Sequence, residues 1–138
     1  MENMITEDYV SFETAKLLKE KGFDWDCEYM YSVSEKWFVY CKCNNSSKTM
    51  ADENYAAPTL QMAMRWLREI CNIIIVVSPQ ILTFKGSESF ASNNWVFDLW
   101  ENGNPIIGHF YGNQTAYPTY EEACDAAIKC GLENLTLI

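Results

Sequence analysis

The stretch "NWVFDLWENGNPIIGHFY", residues 94–111, decides how the rest of the chain can be read. Asn102-Gly103 is the dipeptide that tolerates the two positive φ values of a type I′ turn. Centring a hairpin there pairs Leu99 with Ile106, Phe97 with Gly108 and Trp95 with Phe110, all of them apolar or glycine. One face of the hairpin is thereby committed to a core, and a slip of one residue would destroy the agreement. Gly108 opposite Phe97 leaves room for the ring to lie over the neighbouring backbone. The expected sheet is accordingly antiparallel over most of its extent.

Three helices are expected around this hairpin. The first starts at Ser11, a good N-cap, and repeats Phe12, Ala15 and Leu18 at helical spacing. Gly22 stops it, and Phe23 can fold back on Leu18 in a Schellman arrangement. The second, over residues 60–71, carries Leu60, Ala63, Met64, Leu67 and Ile70 on one stripe, with Thr59 as its N-cap. The third starts at Thr119, where Glu122 completes a capping box. Tyr120, Ala123, Cys124, Ala127 and Ile128 form its buried stripe, and Gly131 is expected to end it. The echo between "APTL" and "YPTY" is a repeated way of starting a helix, since Pro58 and Pro118 each fix where the helix can begin.

Between the first two helices, "EYMYSV" and "KWFVYCKC" are rich in aromatic and β-branched residues and predict a hairpin turning around Ser34 and Glu35. The sequence leaves its register open. "NNSSKTMADEN" reads as a surface loop. Residues 73–77, five consecutive β-branched residues bounded by Asn72 and Pro79, predict a central strand covered on both faces. "ILTFK" can form a short strand, and "GSESFASNN" reads as loop. The order is α-β-β-α-β-(β)-β-β-α. It points to the α+β class: one two-layer domain over residues 1–138, with a mostly antiparallel sheet of four to six strands.

Composition limits the function. With 138 residues, 49% hydrophobic and 14% aromatic, the chain has the material for a core without metal or disulfide support. Nineteen acidic against ten basic residues give a formal charge of −9. Phosphate backbones are held by clustered Lys and Arg, so direct nucleic-acid binding is not expected. The acidic balance suits solubility or a basic protein partner. The start "MENMITEDYV" is no export signal and the longest apolar run is too short to span a membrane, so a cytoplasmic setting is expected. In a reducing compartment the six cysteines behave as small apolar residues. Cys41 and Cys43 would point to one face of a strand, but no second ligand pair accompanies them, and no metal or other cofactor is expected.

Few residues suggest chemistry. His109 is the single histidine. In the hairpin register it sits diagonal to Asp98, and the two share a face with Trp100 and Tyr111. That face could hold a base oriented by a carboxylate beside an aromatic platform. It reads more simply as an outward polar pair, since no nucleophile motif accompanies it. No catalytic residue is assigned. Arg65 and Arg68 could clamp an anion, although their spacing suits a solvated helix face equally. Trp25, Tyr55, Trp100 and Tyr117 have no evident core position. Three of them exposed together would mark a protein-interaction site.

Three blocks carry a resemblance: "FETAKLLKEKGFDWDCEYMY", "APTLQMAMRWLREICNIIIVV" and "YPTYEEACDAAIKCGLENL". They resemble a family of small uncharacterised proteins of Bacteroides-type gut bacteria, their phages and mobile elements. The resemblance implies an accessory protein of phage or mobile-element origin and brings no activity with it. The expected role is non-enzymatic, through a protein partner or a second copy of the chain. A small ligand-binding domain or enzyme using the Asp98–His109 face is the alternative.

Overall fold

A computed structural model describes residues 8–33, 37–83, 89–107 and 115–135. Three helices and six strands follow one another in the order α1 (Phe12–Glu20), β1 (Cys27–Ser32), β2 (Trp37–Cys43), β3 (Tyr55–Ala56), α2 (Leu60–Ile70), β4 (Ile73–Thr83), β5 (Ser89–Glu101), β6 (Asn104–Ile107), α3 (Tyr120–Glu133). The α+β class and the helix count are as expected. The strands form two antiparallel three-stranded sheets, β2-β1-β3 and β4-β5-β6, where the sequence suggested one. The chain accordingly divides into two compact units, Met1–Ala63 and Met64–Ile138. Among the described residues no helix is long and apolar enough to cross a membrane.

In the first unit, Ser11 caps α1 by accepting from the Thr14 amide. The helix closes as its sequence predicts. Gly22 takes φ 94°, the Phe23 amide donates to the Leu18 carbonyl, and both Leu18 and Phe23 are buried. β1 pairs β2, with Tyr29 opposite Tyr40, Met30 opposite Val39 and Tyr31 opposite Phe38. On its other side β1 pairs the two-residue β3, which places Tyr31 opposite Tyr55. Alternation along β1 buries Met30 and Ser32 and leaves Tyr29 and Tyr31 half-buried. The turn at Ser34 and Glu35 lies outside the described residues.

The polar segment after β2 is tied down by side chains. Asn45 donates to the Phe23 carbonyl and accepts from the Ala56 amide. Lys19 donates to the carbonyls of Ala51, Asp52 and Asn54, at 3.1, 3.2 and 2.8 Å. Its ammonium also lies 5.3 Å from the Tyr55 ring centroid. A lysine that reads as solvated on helical spacing alone is thus the clamp of this loop.

α2 starts as predicted, with Thr59 accepting from the Met62 amide. Leu60, Ala63, Met64 and Leu67 are buried, and so is Trp66. Ile70, placed on the buried stripe by its spacing, is instead exposed at the last helical position. Asn72 follows in the left-handed region at φ 58° and its carbonyl accepts from the Asn102 amide.

The second unit contains the Asn102-Gly103 hairpin. Asn102 and Gly103 take φ 52° and 84°, and the turn sets Glu101 opposite Asn104 and Trp100 opposite Pro105. The expected register therefore holds beside the turn. It then shifts by one, so that Leu99 faces Ile107 and the predicted Leu99–Ile106 pair is not formed. Pro105 explains the position of the bulge: it has no amide to give to the ladder and sits on the edge strand β6. Gly108 and Phe110, the predicted partners of Phe97 and Trp95, lie outside the described residues.

β4 also departs from expectation. It is an edge strand, extends from Ile73 to Thr83, and pairs along its length with β5. Residues 89–94, expected as loop, belong to β5, where Ser89, Phe90 and Ala91 pair with Thr83, Leu82 and Ile81. The central strand is β5, whose Val96, Phe97, Asp98 and Leu99 are all buried. Four consecutive buried residues mean that both faces of the strand are covered there, so the polar alternation of "NWVFDLWE" does not mean a wet side. α3 continues past Gly131 to Glu133. A methyl at Gly131 would lie 3.6 Å from Ile73 and 3.7 Å from Leu67, so the glycine belongs to a helix–strand contact and is no stop signal.

Candidate functional site

Of the Asp98–His109 face suggested by the sequence, the described residues include Asp98 and Trp100. Asp98 is 5% exposed and lies opposite Val76 on β4. Trp100 is half-buried opposite Ile74. His109 and Tyr111 lie outside the described residues.

An anion clamp does not form on α2. Arg65 holds Glu69 at 2.6 Å, an exposed pair one helical turn apart that contributes little to stability. Trp25, Tyr55, Trp100 and Tyr117 are each half-buried, so they make no exposed group. Tyr117 is taken up in the second unit: its amide and carbonyl exchange hydrogen bonds with Trp95, and its ring stacks on Phe97.

Among the described residues the exposed aromatics are on β2. Trp37 is 47%, Phe38 37% and Tyr40 63% exposed. β2 is an edge strand, and no described strand pairs its outer side. Its residues join a continuous aromatic layer. Tyr29 stacks parallel to Phe38 at 4.9 Å and meets Tyr40 edge-on at 5.3 Å. Tyr9 packs against both Tyr29 and Phe38. Phe12 touches Trp37, Tyr31 and Tyr55.

Register is the cause of this layer. Antiparallel pairing of Tyr29 with Tyr40 and Tyr31 with Phe38 puts all four rings on one face, where cross-strand aromatic pairs stabilise each other. The Tyr31 hydroxyl anchors the layer by donating to the Val10 carbonyl at 2.7 Å. Trp37 adopts φ 87°, a left-handed value that costs a bulky residue on the order of 1–3 kcal/mol. The alternating run "EYMYSV" beside "KWFVY" contained this platform, but without the register its rings could not be assigned to one side.

At the other end of β1 and β2 lies a cavity of about 410 Å³, lined by Asp26, Cys27, Glu28, Lys42, Cys43, Asn44 and Ser47. Asn44 braces it by donating to Asp26 Oδ1 and to the Asp24 carbonyl. Burial, reinforced by the neighbouring Cys43 thiol and Asp26, pushes the Cys27 thiol up to about 12. Burial likewise raises Cys43 to about 11, with Cys41 and Asp26 adding to it. Both therefore stay protonated at neutral pH and are poor nucleophiles. The Cys43 thiol donates to the Tyr29 carbonyl at 3.2 Å, which is a structural contact. Among the described residues no group of His, Cys, Asp or Glu could hold a metal ion.

No family model, no curated protein and no solved structure matches this chain. The functional reading rests on its own surface.

Proposed function

We propose that the chain is a non-enzymatic protein-interaction module that docks an extended, basic segment of a partner protein along the outer edge of β2. The observation that carries this reading is the exposure of Trp37, Phe38 and Tyr40 on a strand whose outer side no described strand pairs. An edge strand offers a row of backbone donors and acceptors, and an added strand satisfies them while pockets between side chains select its sequence. β2 has one charged residue, Lys42, and lacks the repeated charges that usually blunt such an edge.

Charge selects the partner's chemistry. A chain of formal charge −9 attracts basic segments at long range. At contact, aromatic faces accept Lys and Arg side chains by cation–π attraction. The three blocks of family resemblance add an expected setting, in which an accessory protein of phage or mobile-element origin engages a host or phage complex in the cytoplasm.

The test is selection of displayed peptides on the immobilised protein, followed by backbone amide shift mapping. Peptides that alternate apolar and basic residues should be enriched and should perturb the β2 amides. Tyr40→Lys and Phe38→Ala should each weaken binding at least about tenfold, since each removes an exposed ring and the lysine also repels a basic peptide. Binders that ignore both substitutions, or an absence of binders, would overturn the reading.

A further inference from the structure

We infer that the outer edge of β4 pairs with the same edge of a second copy of this chain, antiparallel about a two-fold axis at Ile75. This surface is separate from β2 and does not depend on the function proposed there. β4 is the longest edge in the described structure, and "IIIVVSPQILT" contains no charged residue. Its exposed side chains are aliphatic: Ile74 is 46%, Val76 44% and Ile81 60% exposed. In a chain with nineteen acidic residues, an uncharged stretch of this length on a sheet edge is conspicuous. Natural edges are normally protected by charge, proline or a bulge, and here Pro79 with its register shift protects only the far half.

Self-complementarity identifies the occupant. With Ile75 facing itself across the axis, Ile74 meets Val76 of the second copy, Ile73 meets Val77, and Asn72 meets Ser78. Aliphatic residues oppose aliphatic ones, and polar residues close both ends. The pairing stops where Pro79 removes an amide, so the segment has a defined length. A partner read by charge finds no complementary group on this edge, whereas an identical edge matches it at every position. Because the contact is isologous it closes at two copies, and the two three-stranded sheets become one of six strands. Ile74 and Val76 from both copies then form a single apolar patch that neither copy can cover alone.

The experiment is sedimentation velocity on the full chain from low micromolar to near-millimolar concentration, with Val76→Lys and Ile81→Lys beside the wild type. Val76 is exposed, so lysine there should leave the fold intact, which circular dichroism checks. The wild type should pass from monomer to dimer with concentration. Val76→Lys should weaken the dimer at least about tenfold by setting two ammonium groups into the patch. Ile81→Lys, beyond Pro79, should dimerise like the wild type. A wild type that stays monomeric throughout, or a dimer that Val76→Lys leaves unchanged, would overturn the inference.

Discussion

Among the described residues, the fold strongly alters the thiols of Cys27 and Cys43. Both thiols are raised from an ordinary value of 9.0, chiefly by burial. The folded chain therefore holds these protons more tightly than the unfolded chain does. Between pH 9 and about 11–12 the unfolded state releases protons that the folded state keeps, so unfolding becomes easier as pH rises. Stability measured by urea denaturation should be level through neutral pH and fall above pH 9. Cys27→Ala should flatten part of that fall; an unchanged alkaline limb would show that other groups cause it. The sequence shows the cysteines as small apolar residues, but not the proximity of these two. Cys27 and Cys43 are sixteen positions apart and meet only through the β1–β2 register.

At the scale of elements, starts were read better than ends. Ser11, Thr59 and Thr119 each cap the helix assigned to them, because a cap is a contact between residues three apart and needs no tertiary partner. The Thr119 hydroxyl also donates to Glu122 Oε2 at 3.0 Å, a side-chain variant of the expected capping box. The end of α3 was misread because glycine serves two purposes. Gly22 is at positive φ and stops a helix, whereas Gly131 lies inside one, against Ile73 and Leu67. The added methyl of Gly131→Ala would meet these side chains at ordinary contact distances, from 3.6 Å upward. This substitution should therefore stabilise the protein by about 0.5–1 kcal/mol through lower entropy of the unfolded chain. A lower urea midpoint in the variant would mean that the contact cannot accommodate the methyl.

At the scale of the whole molecule, charge distinguishes the two proposed contacts. Two copies of a chain at −9 repel, and only apolar and backbone contacts at β4 oppose that repulsion. Salt screens charge over a Debye length of about 8 Å at physiological ionic strength. Dimerisation should therefore tighten as salt is raised, while binding of a basic peptide at β2 should weaken. Titrations of both across a salt series check this. Parallel salt dependence of the two would mean that one of the contacts has been assigned the wrong chemistry.

The sequence by itself determined the α+β class, the three helices and their caps, the Asn102-Gly103 turn, and the acidic, aromatic-rich character of the chain. These follow from local geometry, from period and from composition, each of which is complete within a short segment. Tertiary structure decided which strands lie at an edge. The aliphatic run of β4 reads as central and is peripheral, while β5 is central and buries Val96, Phe97, Asp98 and Leu99. Edge and centre are properties of how strands are ordered, and that order is set by pairing between distant segments. A strand's own residues say how well it pairs; only its neighbours say what remains exposed.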